Sequence, residues 1–274
     1  MPDLHAQPPT GVTAPARPPL TLRRRLRAGW RLCALGGGFL CGALLFVLTT
    51  GPWAGFRRRS IWLQRTCRIV LRTLNVAYSV QGAALPRTGV VASNHLSYVD
   101  ILVLAAATPQ VFLAKAEVRD WPVFNWFARM AGTQFIDRNR RSDVARQNAD
   151  FVHIVENDAV LTIFLEGTST DGSTVRPFRS SLLEPAIAHR WPVTPAAIHY
   201  TCTGGDVAQD VCWWGDMGFF EHLLRLVRVD AVTAHVRFGA PAESAEDRKA
   251  LAARLHGEVV ALKSQLSTTV APAA

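Results

Sequence analysis

Two histidines in this 274-residue chain stand five positions ahead of an aspartate, His95 before Asp100 and His153 before Asp158. A carboxylate at that distance, on the first turns of a helix, can fold back onto one imidazole nitrogen. The pairing fixes the tautomer and stabilises the imidazolium, leaving the other nitrogen to take a proton. A lipid hydroxyl is a poor nucleophile until a positioned base does this, a contribution of about 10²–10⁴ in rate. Spacing alone does not choose between the two histidines. Context does. Asn94-His95-Leu96-Ser97-Tyr98-Val99-Asp100 follows the apolar run Gly89–Ser93, at the junction of a predicted strand and helix. His153 lies inside the amphipathic stretch Ser142–Asn157 and is read as a structural or surface histidine.

Three further segments carry side chains able to hold a substrate. Phe164-Leu165-Glu166-Gly167-Thr168-Ser169 also ends an apolar run. Its glycine permits a tight turn and close backbone approach to a ligand, and Thr168 can cap or donate. A glutamate at a strand end is equally compatible with a solvated surface group. Gly132-Thr133-Gln134-Phe135-Ile136-Asp137-Arg138 ends on an arginine whose planar donors can clamp a phosphate or carboxylate, the plain alternative being an ion pair with Asp137. Val193-Thr194-Pro195-Ala196-Ala197-Ile198 is apolar, offers no chemistry of its own, and fits a pocket lining.

The elements that must position these residues alternate. Predicted strands cover Gly89–Ser93, Val111–Ala114, Thr133–Ile136, Val160–Leu165, Pro192–Tyr200 and Ala231–Phe238. Helical patterns cover Tyr98–Ala107, Trp121–Ala131, Ser142–Asn157 and Ser244–Gln265. Strand–helix alternation predicts an α/β domain with a mixed, largely parallel sheet flanked by helices. In such sheets polar side chains gather at the carboxyl edge, where ligands bind.

The chain before this domain is different. Residues 1–20 are rich in Pro and Ala without apolar period, which predicts a disordered tail. An arginine run (Arg23, Arg24, Arg25, Arg27, Arg31) leads into the uncharged stretch Cys33–Thr50, eighteen residues, just enough to span a bilayer core as a helix. Over Phe56–Tyr78, Arg58, Arg65, Arg68 and Arg72 share one helical face and Leu63, Cys67, Val70 and Leu74 the other. An Arg-faced amphipathic helix beside an apolar run predicts membrane-associated helices, although a surface helix with a solvated Arg face fits the same pattern. Because arginines flank the apolar run on both sides, a span and a hairpin entering one leaflet remain equally open.

Charge follows the same division. The formal net charge is +9, and residues 1–78 hold twelve arginines against one acid, Asp3, so the remainder is close to neutral. A basic arm suits lipid headgroups or nucleic acid. The apolar run and the lack of any helix-turn-helix, zinc-finger or RNA-binding motif argue against nucleic acid, which leaves a basic binding protein without catalysis as the alternative of another class. The five cysteines form no CxxC pair and no Cys/His cluster with zinc spacing, so no structural metal is implied.

Taken in order, NHLSYVD, GTQFIDR, FLEGT and VTPAAI resemble the four motif blocks of the glycerolipid acyltransferase family, whose founding activity acylates 1-acylglycerol-3-phosphate. The resemblance runs from about Val90 to Leu262. It implies His95 as general base and Asp100 as its orienting partner, with Arg138, Glu166, Gly167 and Thr168 holding the acceptor. It also implies acyl-CoA or acyl carrier protein as co-substrate, a lyso-lipid acceptor, membrane-lipid contact, and no metal or organic cofactor. The family fold is a mixed sheet between helices, often preceded by N-terminal membrane helices. The chain then divides into a tail (1–25), a membrane-associated helical hairpin (26–80) and an acyltransferase domain (81–274), at the inner membrane with the catalytic part facing the cytoplasm. Two positions depart from the family. Leu165 replaces the usual Pro before Glu166, and Ser169 stands where lysophosphatidate enzymes usually carry Arg. Arg176 or Arg179 could supply the missing charge. Ser169–Ser181 and Trp213–Met217 resemble a bacterial branch that includes lyso-ornithine-lipid acyltransferases. Lysophosphatidate is the expected acceptor and lyso-ornithine lipid the alternative.

Overall fold

Gly89–Ser93 and Val160–Phe164 are buried at every position and lie side by side at the centre of the sheet as strands β2 and β5. The computed structural model describes residues 21–115, 124–136, 151–243 and 247–270. Among these, the other strands are β1 (Val76–Gly82), β3 (Gln110–Lys115), β4 (Gln134–Ile136), β6 (Val193–Thr203) and β7 (Ala231–Phe238). Their order across the sheet is β1-β7-β6-β2-β5-β3-β4. Every neighbouring pair is parallel except β6 and β7, which run antiparallel. The mixed, largely parallel sheet expected from the sequence is therefore present.

The helices are α1 (Leu22–Thr49), α2 (Phe56–Leu74), α3 (Val99–Ala107), α4 (Phe124–Ala131), α5 (Glu184–Ala188), α6 (Phe219–Leu226) and α7 (Arg248–Val270). Residues 151–156 are helical as well. The start of the predicted helix Ser142–Asn157 lies outside the described residues, as do Trp121–Val123.

One difference from the sequence expectation changes the type of an element. The helix predicted over Phe56–Tyr78 stops at Leu74, and Val76–Gly82 becomes an edge strand parallel to β7. Asn75 turns the chain with φ 57°, a left-handed cap that Asn tolerates better than most residues, and its N–H closes onto the carbonyls of Arg72 and Leu71.

Helix α1 begins at Leu22, inside the stretch assigned to the tail, and two of its faces matter. Ala28, Arg31, Leu35, Gly38, Gly42 and Phe46 are buried at helical spacing, and Gly42 sits so close to α2 that a Cβ there would meet Thr66 Cγ2 at 2.5 Å. The indole N–H of Trp62 donates to the Gly42 carbonyl across this contact, at 2.8 Å. The other face exposes Leu22, Leu26, Trp30, Leu40, Leu44, Val47 and Leu48. Among the described residues α1 is the one helix long and apolar enough to cross a membrane, with a mean hydropathy of 2.2 over eighteen residues.

Several arginines read as a membrane-facing set are engaged inside the protein. Arg24 and Arg27 pair with the Asp230 carboxylate. Arg31, itself buried, donates to the carbonyls of Val227, Val229 and Asp230, just past the last turn of α6. Arg68 donates to the Ala106 carbonyl at the end of α3, at 3.0 Å. Arg31 and Arg68 thus add charged donors to carbonyls at or just past helix ends, while Arg23, Arg25, Arg65 and Arg72 stand exposed.

Candidate active site

The carboxyl ends of β2, β5 and β6 meet at one edge of the sheet, and the singled-out segments leave from there. β2 hands the chain to Asn94 and His95, after which α3 begins at Val99 with Asp100 in its first turn. Asp100 is wholly buried and His95 partly exposed. The Asp100 Oδ2 accepts from His95 Nδ1 at 2.7 Å and from the backbone N–H groups of Leu96 and Ser97 at 2.6 and 2.9 Å. The short loop thus wraps its own carboxylate. A negative side chain in the first turn also sits well against the helix dipole.

The ring of His95 lies flat on Phe164, the last residue of β5, with centroids 4.0 Å apart and planes 14° from parallel. Stacking on one side and Asp100 on Nδ1 leave Nε2 as the nitrogen available to a reacting hydroxyl.

Glu166, two residues beyond β5, is buried, and both its oxygens face backbone. Oε1 accepts from the His95 N–H and Oε2 from the Arg176 N–H, each at 2.7 Å. Burial pushes its carboxyl above the usual range, and these two hydrogen bonds oppose that. Gly167 turns with φ 80°, the left-handed region that favours glycine. Thr168 and Ser169 are half-buried in the loop that follows, and the Ser169 hydroxyl donates to the Trp213 carbonyl. Trp213 N–H donates in turn to the Leu96 carbonyl at 2.8 Å, tying this loop to the histidine turn. Arg176 and Arg179 are exposed. Arg138 lies outside the described residues.

The sequence-matched rival is placed elsewhere. His153 is exposed on the 151–156 helix, where its ring nitrogen meets Asn157 Nδ2 at 3.0 Å and its ring edge meets Phe56.

Two side chains at the edge have roles that the sequence does not mark. Asn94, buried, exchanges two hydrogen bonds with the backbone of Ile198 on β6. Tyr200, also on β6, donates its hydroxyl to Asp100 Oδ1 at 2.8 Å. Nothing in VTPAAIHY marks a tyrosine that will meet a carboxylate 100 residues earlier in the chain.

Behind α3 an apolar cavity opens between the sheet and the first two helices, lined among others by Leu35 and Phe39 of α1, Val70 of α2, Ile101 of α3, Phe112 of β3 and Phe127 of α4. Phe112 stacks on Phe164, which stacks on His95, so the cavity wall and the imidazole share one aromatic column. Among the described residues no three His, Cys, Asp or Glu side chains cluster as a metal's ligands would.

Residues 78–199 match the family profile described as Acyltransferase. The chain is 34% identical over 259 residues to a lyso-ornithine lipid O-acyltransferase of Rhodobacter capsulatus, covering 89% of this chain and 92% of that protein. It is 35% identical to a protein of the same name from Pseudomonas aeruginosa, over 77% of this chain and 79% of the relative. A 1-acyl-sn-glycerol-3-phosphate acyltransferase of Neisseria meningitidis is 32% identical over 71% and 78% of the two chains. The crystal structure of the 1-acyl-sn-glycerophosphate acyltransferase PlsC from Thermotoga maritima superposes with a TM-score of 0.65, at 16% identity, over 90% of this chain and 97% of that one.

Proposed function

The chain belongs to the acyltransferase family, as an enzyme of the type that acylates lyso-lipids, and we propose that it esterifies the free hydroxyl of a lyso-ornithine lipid with an acyl group from acyl-CoA or acyl carrier protein. The observation that carries the catalytic reading is the His95–Asp100 contact of 2.7 Å at the carboxyl edge of the sheet. Asp100 holds Nδ1, so Nε2 takes the proton of the acceptor hydroxyl. The hydroxyl oxygen attacks the thioester carbonyl carbon, the tetrahedral intermediate collapses with cleavage of the C–S bond, and the thiolate leaves with the proton returned by His95. No acyl-enzyme forms. The cavity behind α3 is apolar enough to receive an acyl chain, and its position next to the Phe112–Phe164–His95 column puts one end of such a chain near the reacting atoms.

Glu166, Gly167 and Thr168 shape the acceptor side in this reading, Glu166 by bracing two backbone segments and Gly167 by its turn. Arg138 and Arg179 are the cations assigned to an acidic headgroup. Two observations favour lyso-ornithine lipid: the identity to enzymes of that name extends over up to 92% of their length, and Ser169 points its hydroxyl to the Trp213 carbonyl instead of offering a charge. The second reading, lysophosphatidate, is favoured by the Neisseria relative and by Arg138 at the end of GTQFIDR. The exposed apolar face of α1 supports attachment to the inner membrane, with the domain on the cytoplasmic side where acyl thioesters are supplied.

The test is acyl transfer by purified full-length protein in lipid vesicles, with labelled acyl-CoA and labelled acyl carrier protein offered separately to lyso-ornithine lipid and to lysophosphatidate. Preferential acylation of lyso-ornithine lipid is expected. Preference for lysophosphatidate reverses the acceptor assignment and leaves the chemistry standing, and transfer to neither lipid overturns the reading.

A further inference from the structure

Strand β6 reaches the histidine turn twice. Backbone pairing between β2 and β6 ends at Ser93 and Ala196. Asn94 then extends the contact with its side chain: Nδ2 donates to the Ile198 carbonyl at 3.0 Å, and the Ile198 N–H donates to Oδ1 at 2.8 Å. Two residues further along, on the same face of the strand by its period of two, Tyr200 donates its hydroxyl to Asp100 Oδ1 at 2.8 Å. Its ring is fully buried in the core.

Among the described residues Asp100 receives four donors, unevenly sourced. Three belong to residues 95–97 and converge on Oδ2. Among the described residues Tyr200 is the one donor to Oδ1, and the one that ties the carboxylate to the sheet instead of to its own loop. Without it the carboxylate is held through Oδ2 and its own loop alone, its last torsion is a broad and nearly two-fold well for Asp, and the direction of Oδ2 toward the imidazole is no longer anchored to the sheet. Other ionisable groups near Asp100 are Glu166 beyond β5 and Cys212 after the 207–211 turn, with Tyr98 acting on Tyr200. None of them donates to it.

We propose that Tyr200 is a positioning residue of the acyl transfer, acting through Asp100 to hold His95 in line. This rests on the reading of His95 and Asp100 as the catalytic pair. Tyr200 never meets substrate. It remains a donor because burial, reinforced by the charge of Asp100, pushes its phenol well above the ordinary tyrosine range. The fourth motif segment, which looked like a passive pocket wall, contributes to catalysis through the strand that it starts.

The experiment is a Tyr200→Phe exchange in the full-length enzyme, measured in the vesicle assay and combined with Asp100→Asn. Loss of a hydrogen bond to a charged group that orients the base is expected to lower kcat by about tenfold, with the KM of both substrates unchanged within about twofold. In the Asp100→Asn background the same exchange should cost less than about twofold, because the carboxylate through which Tyr200 acts on His95 is already gone. p-Fluorophenylalanine at position 200 fills the hydroxyl's volume without a donor and serves if the Phe protein folds poorly; p-aminophenylalanine restores a donor and should return kcat toward wild type. Wild-type kcat in the donor-free variants, or an equal loss in both backgrounds, overturns the role of Tyr200. His95→Ala in the same assay keeps the two readings apart: full activity there defeats the catalytic pair itself, whatever Tyr200 does.

Discussion

Glu166 grips the backbone of His95 and not its ring: the carboxylate oxygen accepts the His95 N–H at 2.7 Å. The other oxygen takes the Arg176 N–H, so one buried side chain sets the spacing between the histidine turn and the loop that follows β5. Glu166→Ala leaves two amides without this acceptor, each worth about 1–3 kcal/mol when buried and unsatisfied. Glu166→Ala is expected to melt well below wild type and to lose more than tenfold in kcat, while Glu166→Gln, which keeps one acceptor, falls between. Melting temperature and turnover of the purified variants check this, and a Gln variant as damaged as Ala would show that both oxygens act as a unit.

The two HxxxxD pairs provide an internal control. His95→Ala should lower kcat by about 10²–10⁴, the usual contribution of a positioned base. His153→Ala removes only an exposed ring bonded to Asn157 and resting on Phe56, and its turnover should stay within about twofold of wild type. Parallel acyl-transfer assays decide, and the reverse ranking would move the chemistry to the other face of the sheet.

Arg31 reaches three carbonyls beyond α6. An ammonium cannot reproduce that planar set of donors. Arg31→Lys should therefore lower the melting temperature nearly as much as Arg31→Ala, by about 1–3 kcal/mol of stability. Arg25→Ala, changing an exposed residue of the same run, should leave it unchanged. Thermal denaturation in detergent separates the two cases. Equal effects at both positions would mean that α1 is held by apolar contact alone.

Burial, with Arg225 adding to it, holds the His222 imidazole down to about 4. An unfolded histidine titrates near 6.5, so below that pH the unfolded chain binds a proton that the folded one refuses. Stability should fall by about 1.4 kcal/mol per pH unit from this group between pH 6.5 and about 4, and no further below. His199 and His235, also lowered chiefly by burial, act in the same direction. The His222 ring meets the Tyr98 hydroxyl at 3.1 Å, and melting curves at pH 7.5, 6 and 5 should show a shallower decline for His222→Gln, whose amide can still meet that hydroxyl, than for wild type. Parallel declines would remove His222 from the account.

Ser169 holds the loop after Gly167 to the Trp213 carbonyl. Introducing Arg there breaks that tie before it can offer a charge to a headgroup. Ser169→Arg is expected to lower kcat/KM by about tenfold with both lyso-lipids, a cost in the range of one side-chain hydrogen bond plus loop disorder. Unchanged total activity with a switched preference would instead place this side chain in the path of the acceptor.

Much of this arrangement was legible in the sequence because strand ends are local. Predominantly apolar runs such as Gly89–Ser93 and Val160–Leu165 mark the buried strands, and polar residues directly after them fall at the sheet edge by construction. What escaped is non-local. Apolar spacing runs on past Leu74 into Val76 and Tyr78, so the strand β1 looks like more helix; Asn75, a tolerable left-handed residue, was the single clue to the break. The arginines of α1 look lipid-facing until Asp230 is placed beside them. Tyr200 meets Asp100 only because β6 lies next to β2.

The partners of α1 have a consequence for how the protein is made. Arg31 and the carbonyl of Val227 are 196 residues apart, and Arg24 and Asp230 are 206. At ordinary rates of synthesis, about 5–20 residues per second, α1 is complete roughly 10–40 s before the carbonyls that receive its arginines exist. During that interval α2 can meet part of its buried face, but the carbonyls for its arginines are missing, and its outer face is already apolar. On the membrane attachment proposed above, a lipid bilayer would accept such a helix while the ribosome is still working. Membrane capture would then come first in the order of assembly, with the finished domain closing onto a helix already in place.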